Sequence, residues 1–206
     1  MVPTPQGVRL CRAIRSLAIH LEIGILCLPH LLDHRPHRTP GMPSLILTVH
    51  IDSAAQALFD SHRRRHFPPQ RNIVPAHLTL FHQLPDTEAT FTILATVAMQ
   101  QAAFSLLITG LLPLGRGVAY AIESPPLHQL RHRLTAAFAP HVIPQDRQPF
   151  RPHVVIQNKT TPEHARATLA EIAGAFTPFS AQGLGLDVWR YLEGAWSFER
   201  TFAFAA

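Results

Sequence analysis

Ala76-His77-Leu78-Thr79-Leu80-Phe81 and Pro152-His153-Val154-Val155-Ile156-Gln157 are two short apolar stretches, each with one histidine near its start. Successive strand side chains point to opposite faces. His77, Thr79 and Phe81 are therefore expected on one face of the first strand, and His153, Val155 and Gln157 on one face of the second. A histidine and a hydroxyl two residues apart can address the same small anion. The separation of 76 residues leaves room for a whole structural repeat between the histidines. The expected arrangement is two adjacent strands presenting two imidazoles to one phosphate.

The flanking sequence carries that repeat. Ser44–Ile51 reads as a strand, and Ser53 with Gln56 as a capping box opening a helix to about His66, closed by Phe67-Pro68-Pro69. After the His77 strand, Leu84-Pro85-Asp86 stops the strand and caps a helix over Thr87–Gln101, and Phe104–Leu112 reads as a strand. The order then recurs: a strand at Val118–Glu123, a helix opened by Ser124 and Pro125, the His153 strand, and a helix opened by Thr161 and Pro162. Leu184–Tyr191 and Trp196–Phe204 read as a closing hairpin around Glu193-Gly194. Each half is strand, helix, histidine-bearing strand, helix, strand. Pairing the halves about a pseudo-twofold axis would bring His77 and His153 face to face.

The fold class expected is α+β: two pseudo-symmetric lobes of antiparallel sheet flanked by helices, with a central cleft. Residues 42–206 are expected to form one bilobal domain with halves of about 44–112 and 116–204. Residues 1–41, broken by Pro3, Pro5, Pro29, Pro36 and Pro40, read as a disordered extension or as translated sequence ahead of a start at Met42. Glu22 inside the apolar run and the lack of a small-residue cleavage site argue against a secretory signal.

Composition narrows the partners. The 47% hydrophobic and 15% charged fractions describe a globular chain. No apolar run reaches the roughly eighteen residues of a membrane span. Of the net charge of +5, residues 1–41 carry +3, so the remainder is nearly balanced and a broad nucleic-acid surface is not indicated. Both cysteines, Cys11 and Cys27, lie in that first segment. The expected body has no disulfide framework or cysteine metal site, in keeping with a cytoplasmic protein.

Two opposed histidines suit phosphodiester cleavage, because imidazole titrates near neutral pH. One neutral ring can take a proton from water or a ribose hydroxyl while the other, protonated, delivers one to the leaving oxygen. A hydroxyl on the same face can donate to the non-bridging oxygens as charge builds there. Arg151 before His153 and Lys159 after it are cations within reach of a phosphate, and Phe81, Phe150 and Tyr120 are candidates for stacking a base. His62 with His66 and His128 with His132 have a zinc-compatible i, i+4 spacing, but without a third ligand they read as solvated helix faces. His82 falls on the face opposite His77 and is left outside the site.

His77-Leu78-Thr79-Leu80 matches the signature His, any residue, Thr or Ser, apolar, and residues 42–206 resemble the two-histidine phosphoesterase superfamily, most closely its bacterial 2'-5' RNA ligase family. That resemblance implies a metal-independent cyclic phosphodiesterase with His77 and His153 as acid and base in either order and Thr79 as phosphate donor. It implies no cofactor. Its partner would be an RNA end or small nucleotide with a cyclic phosphate, without a membrane and as a monomer. The second motif departs from the pattern: Val155 stands where the family has Thr or Ser, which removes one donor. Gln157 on the expected same face is a candidate replacement. A non-catalytic RNA or nucleotide binder is the competing reading, and a zinc hydrolase built from the surplus histidines a third.

Overall fold

A computed structural model of the chain describes residues 44–205. The expectations for residues 1–41 lie outside the described residues. Seven antiparallel strands and four α-helices make up this part of the chain. In order they are β1 (Ser44–Ile51), α1 (Ser53–His66), β2 (Thr79–Pro85), α2 (Glu88–Met99), β3 (Phe104–Pro113), β4 (Val118–Glu123), α3 (Pro125–Ala137), β5 (His153–Gln157), α4 (Pro162–Ala173), β6 (Phe179–Leu192) and β7 (Ala195–Ala203).

The sheet runs β2-β1-β6-β3-β4-β5, with β7 added on β6. Exchanging β1 with β4, β2 with β5 and β3 with β6 reverses this order onto itself, so the connectivity is twofold even where the sequence is not. The two expected sheets are thus joined into one hydrogen-bonded path where Phe104–Ile108 pairs with Phe179–Gly183. β2 and β5 stand at opposite ends of that path, yet an isolated bridge joins Leu78 to Val154. The sheet therefore curls until its two ends meet beside the two histidines.

Local chemistry explains the element boundaries. Thr87, Ser124 and Thr161 cap α2, α3 and α4 through their hydroxyls, each accepting from the backbone N–H three residues on. Asp52, rather than Ser53, caps α1, its carboxylate accepting from Ala55 at 3.0 Å. Gln56 does not close a capping box: its amide donates to the Ala76 carbonyl at 2.8 Å, the residue just before His77. The β6–β7 hairpin turns at Glu193 and Gly194, both at positive φ (49° and 133°), the second of which suits glycine.

Phe59, Tyr120, Phe81 and Phe138 are among the largest fully buried side chains, packed with Leu45, Leu47, Leu78 and Leu80. Phe59 and Tyr120 lie 5.2 Å apart, and Phe81 meets Phe138 edge-on at 6.1 Å. Burying such a side chain stabilises the fold by about 1.5–3 kcal/mol. No helix among the described residues is long and apolar enough to cross a membrane.

Candidate active site

α1 fixes His77 from behind. Asp60 accepts from the Ala76 N–H at 2.7 Å while Gln56 holds the Ala76 carbonyl, so both polar groups of the preceding residue are bound to one helix. Arg63, next to His62 on the α1 face read above as solvated, is buried. Its Nε donates to the Asn72 side chain at 2.9 Å and the Val74 carbonyl at 3.1 Å, and its Nη1 to the Val155 carbonyl at 2.8 Å. One guanidinium therefore joins the loop entering His77 to the middle of the His153 strand. Its burial, opposed by nearby Asp60, lowers its pKa to about 10, and the charge is retained at neutral pH. Replacing Arg63 with alanine removes three charge-assisted bonds and strands two carbonyls; a loss of about 3 kcal/mol or more is expected in urea unfolding.

His153 is set by pairing with Ala121 on β4, and the carbonyl of Pro152 accepts from Ile122 at 3.1 Å. The two imidazoles are held alike. His77 Nδ1 donates to the carbonyl of Pro75 at 2.8 Å and His153 Nδ1 to that of Arg151 at 2.7 Å, in each case two residues back. A carbonyl can only accept, so Nδ1 carries the proton in both rings and Nε2 is left for chemistry.

Both histidines line one cleft of about 260 Å³, together with Thr79, Phe150, Arg151 and Val155. Val155 thus presents its side chain at the cleft surface and not in the core. Four expected site residues are elsewhere. Gln157 is 0% exposed and donates to Thr168 of α4 at 2.8 Å; a register shift between Ala119–Val155 and Val118–Gln157 breaks the alternation that would have aimed it at the cleft. Phe81 is likewise turned into the core by an irregularity where β1 pairs with β2 between Leu47 and Thr48. Tyr120 lies under α1, sharing a 2.8 Å hydrogen bond with His62 Nδ1. Lys159 sits exposed at positive φ in the turn after β5, outside the cleft lining.

The same irregularity in β2 brings in His82, which strict alternation had sent to the other face. His82 lines the cleft, its Nδ1 donating to buried Asp146 at 2.7 Å and its backbone N–H to the same carboxylate at 3.0 Å. Asp146 is in turn anchored through its carbonyl by buried Arg131, which lies 3.7 Å over the Phe81 ring. No sequence signal links residues 82, 131 and 146, because the link is a bulge plus a long loop.

Burial is the main force on His77, pushing its pKa down to about 4. The bond to Pro75 opposes this, while the charges of Arg63, His82 and His153 add to it. The ring is thus neutral at pH 7. Because the unfolded chain takes up this proton near pH 6.5 and the folded chain only near 4, stability is complete above about 6.5 and falls as the pH drops toward 4. A lower urea midpoint at pH 5 than at pH 7, with the difference reduced in His77→Gln, is the expected result.

Among the described residues no group of three or more His, Cys, Asp or Glu side chains is placed to share a metal ion. His62 and His66 line a separate cavity of about 330 Å³ with Tyr120 and Phe176, and the surplus histidines assemble no metal centre there.

A twofold α+β fold with one histidine from each half in a shared cleft defines the class of two-histidine phosphoesterases. The chain belongs to the 2'-5' RNA ligase superfamily, whose family model matches residues 51–195. Solved structures with the same fold include LigT of E. coli in complex with 3'-AMP, at 18% identity and a TM-score of 0.52 over 80% of this chain and 99% of that one. LigT in complex with NADP+ is 20% identical over the same shares, also with a TM-score of 0.52. TT0787 of Thermus thermophilus is 17% identical with a TM-score of 0.56, over 78% of this chain and 97% of that one. No curated protein sequence matches the chain.

Proposed function

We propose that this protein is a metal-independent phosphodiesterase that opens 2',3'-cyclic phosphates, or cleaves 2',5'-linked phosphodiesters, on RNA ends or nucleotides. The observation that carries this reading is the matched pair of imidazoles: two repeat-related histidines in one cleft, each with Nδ1 bound to a carbonyl and Nε2 left to react. His77, neutral at pH 7, takes a proton from the attacking water at Nε2. The water oxygen bonds to phosphorus, and the bond from phosphorus to one ribose oxygen breaks. His153, as imidazolium, gives its Nε2 proton to that departing oxygen, leaving a phosphomonoester and a free hydroxyl. Thr79 donates to a non-bridging oxygen and Arg151 offers a second cation at the cleft wall. LigT structures are in complex with 3'-AMP and with NADP+, which supports a nucleotide as the kind of ligand taken here.

The testing experiment is turnover of an RNA oligomer ending in a 2',3'-cyclic phosphate, in EDTA. A clear rate supports the reading. A rate no greater than that of the His77→Ala, His153→Ala double variant overturns it and favours the competing reading, a nucleotide binder, for which the loss of the donor at Val155 is the motive. With His77 as base, the acid limb of kcat/KM is expected to inflect near pH 4 and not near 6.5, since activity is lost only where that ring is protonated.

A further inference from the structure

β7 has no counterpart in the repeat, and it carries an aromatic surface to one histidine only. Trp196 packs against the His77 ring with centroids 4.6 Å apart. Trp189 on β6 lies 6.2 Å from Trp196 and 5.3 Å from Phe198, which is 53% exposed. Directly opposed residues of an antiparallel pair share a face, and Trp189 opposes Phe198 while Tyr191 opposes Trp196, so these rings form one shelf. The shelf is rigid. The Trp189 indole N–H donates to Thr48 Oγ1 at 2.9 Å, and on the other face Arg190 binds Asp86 at 2.7 Å and Glu199 at 2.6 Å. It lies beside the phosphate end of the cleft: Trp189 is bonded to Thr48, which pairs across the strands with the cleft residue Thr79.

We propose that the Trp196–Phe198 shelf is a base-stacking subsite, which takes the nucleobase of the nucleotide whose phosphate lies between His77 and His153. This rests on the cleavage reading above and deepens it by assigning the surface that holds the substrate's base. A phosphate at His77 leaves the base one ribose away, and the flat group nearest to His77 is the indole of Trp196. Phe150, at the Arg151 end of the cleft, is less available: His128 meets it edge-on at 5.4 Å and the Arg131 guanidinium covers it at 5.6 Å. An exposed aromatic cluster beside a phosphate cleft has the chemistry of a stacking platform, which is tolerant of base identity because every base has a π-face. The subsite is accordingly expected to prefer a base over none, and not one base over another.

The chain has two tryptophans, and both belong to the shelf, so intrinsic tryptophan fluorescence reports on this surface. The full-length protein is titrated with adenosine 2'-monophosphate and with ribose 2-phosphate, which share the phosphate and differ in the base. The expected result is saturable quenching by the nucleotide, with a Kd at least tenfold below that of the sugar phosphate measured by calorimetry. Phe198→Ala and Trp196→Ala should narrow this gap to about threefold or less, Trp196→Phe should largely keep it by calorimetry, and Phe150→Ala should keep it too. Equal affinities in the wild type, or a gap that survives in Phe198→Ala and Trp196→Ala, overturns the subsite. Concentration-dependent dimerisation abolished by Phe198→Ala, without any base preference, overturns it in favour of an interface. The cleavage reading is judged separately by turnover of the cyclic-phosphate oligomer: turnover without base preference refutes the subsite alone, and base-dependent binding without turnover refutes cleavage alone.

Discussion

His77→Ala and His153→Ala are each expected to lower kcat/KM on a 2',3'-cyclic phosphate by about 100- to 10,000-fold, the usual contribution of a positioned acid or base. Each ring lines the cleft, and apart from the ring contact of His77 with Trp196 on β7 each is held by the chain just before it. Pro75 and Arg151, whose carbonyls accept from Nδ1, lie two residues from the ring that binds them, so the bonds lost are local. Thermal midpoints should therefore change little beside the rate. Arg63→Ala should behave in the opposite sense, with a large loss of stability, because that side chain ties two segments together. Measuring rate and urea midpoint for all three variants separates chemistry from scaffolding.

Val155→Thr is expected to raise kcat/KM, by on the order of 100-fold or more if the restored hydroxyl reaches the transition-state phosphate as a preorganised donor. The two side chains are nearly the same shape, so packing is preserved. Adding a hydroxyl to a core normally costs stability, but Val155 is only half-buried and lines the cleft, where the group can meet solvent or substrate. Steady-state kinetics on the cyclic-phosphate oligomer decide the matter. A gain confined to kcat shows that the hydroxyl acts in the transition state. An unchanged rate shows that another cleft donor already fills its place.

Much of this architecture was legible because it rests on local chemistry. The hydroxyl caps at Ser124 and Thr161, the glycine turn at Gly194 and the strand content around each histidine are short-range signals, and the recurrence of strand, helix, histidine-bearing strand defined the twofold order. The site was less legible, for reasons that can be named. Alternation fixes a side chain's face only in a regular strand, and one irregularity each in β2 and β5 turned Phe81 and Gln157 inward and brought His82 to the cleft. Arg63 sits in a run of three arginines that looks solvated, and only its carbonyl partners, 11 and 92 residues away, make it internal. Tyr120 was a plausible stacking ring on a strand, but α1 covers it. The contact of Trp196 with His77 joins residues 119 positions apart and left no trace in either motif.

The central claim is that His77 and His153 act together on one phosphate. The most direct measurement is kcat/KM on the cyclic-phosphate oligomer for wild type, both single alanine variants and the double variant, in EDTA. Groups that serve a single step are strongly non-additive, so the double variant should be about as slow as the slower single variant. Losses that instead multiply in the double variant would mean that the two histidines act independently, and would contradict the paired mechanism.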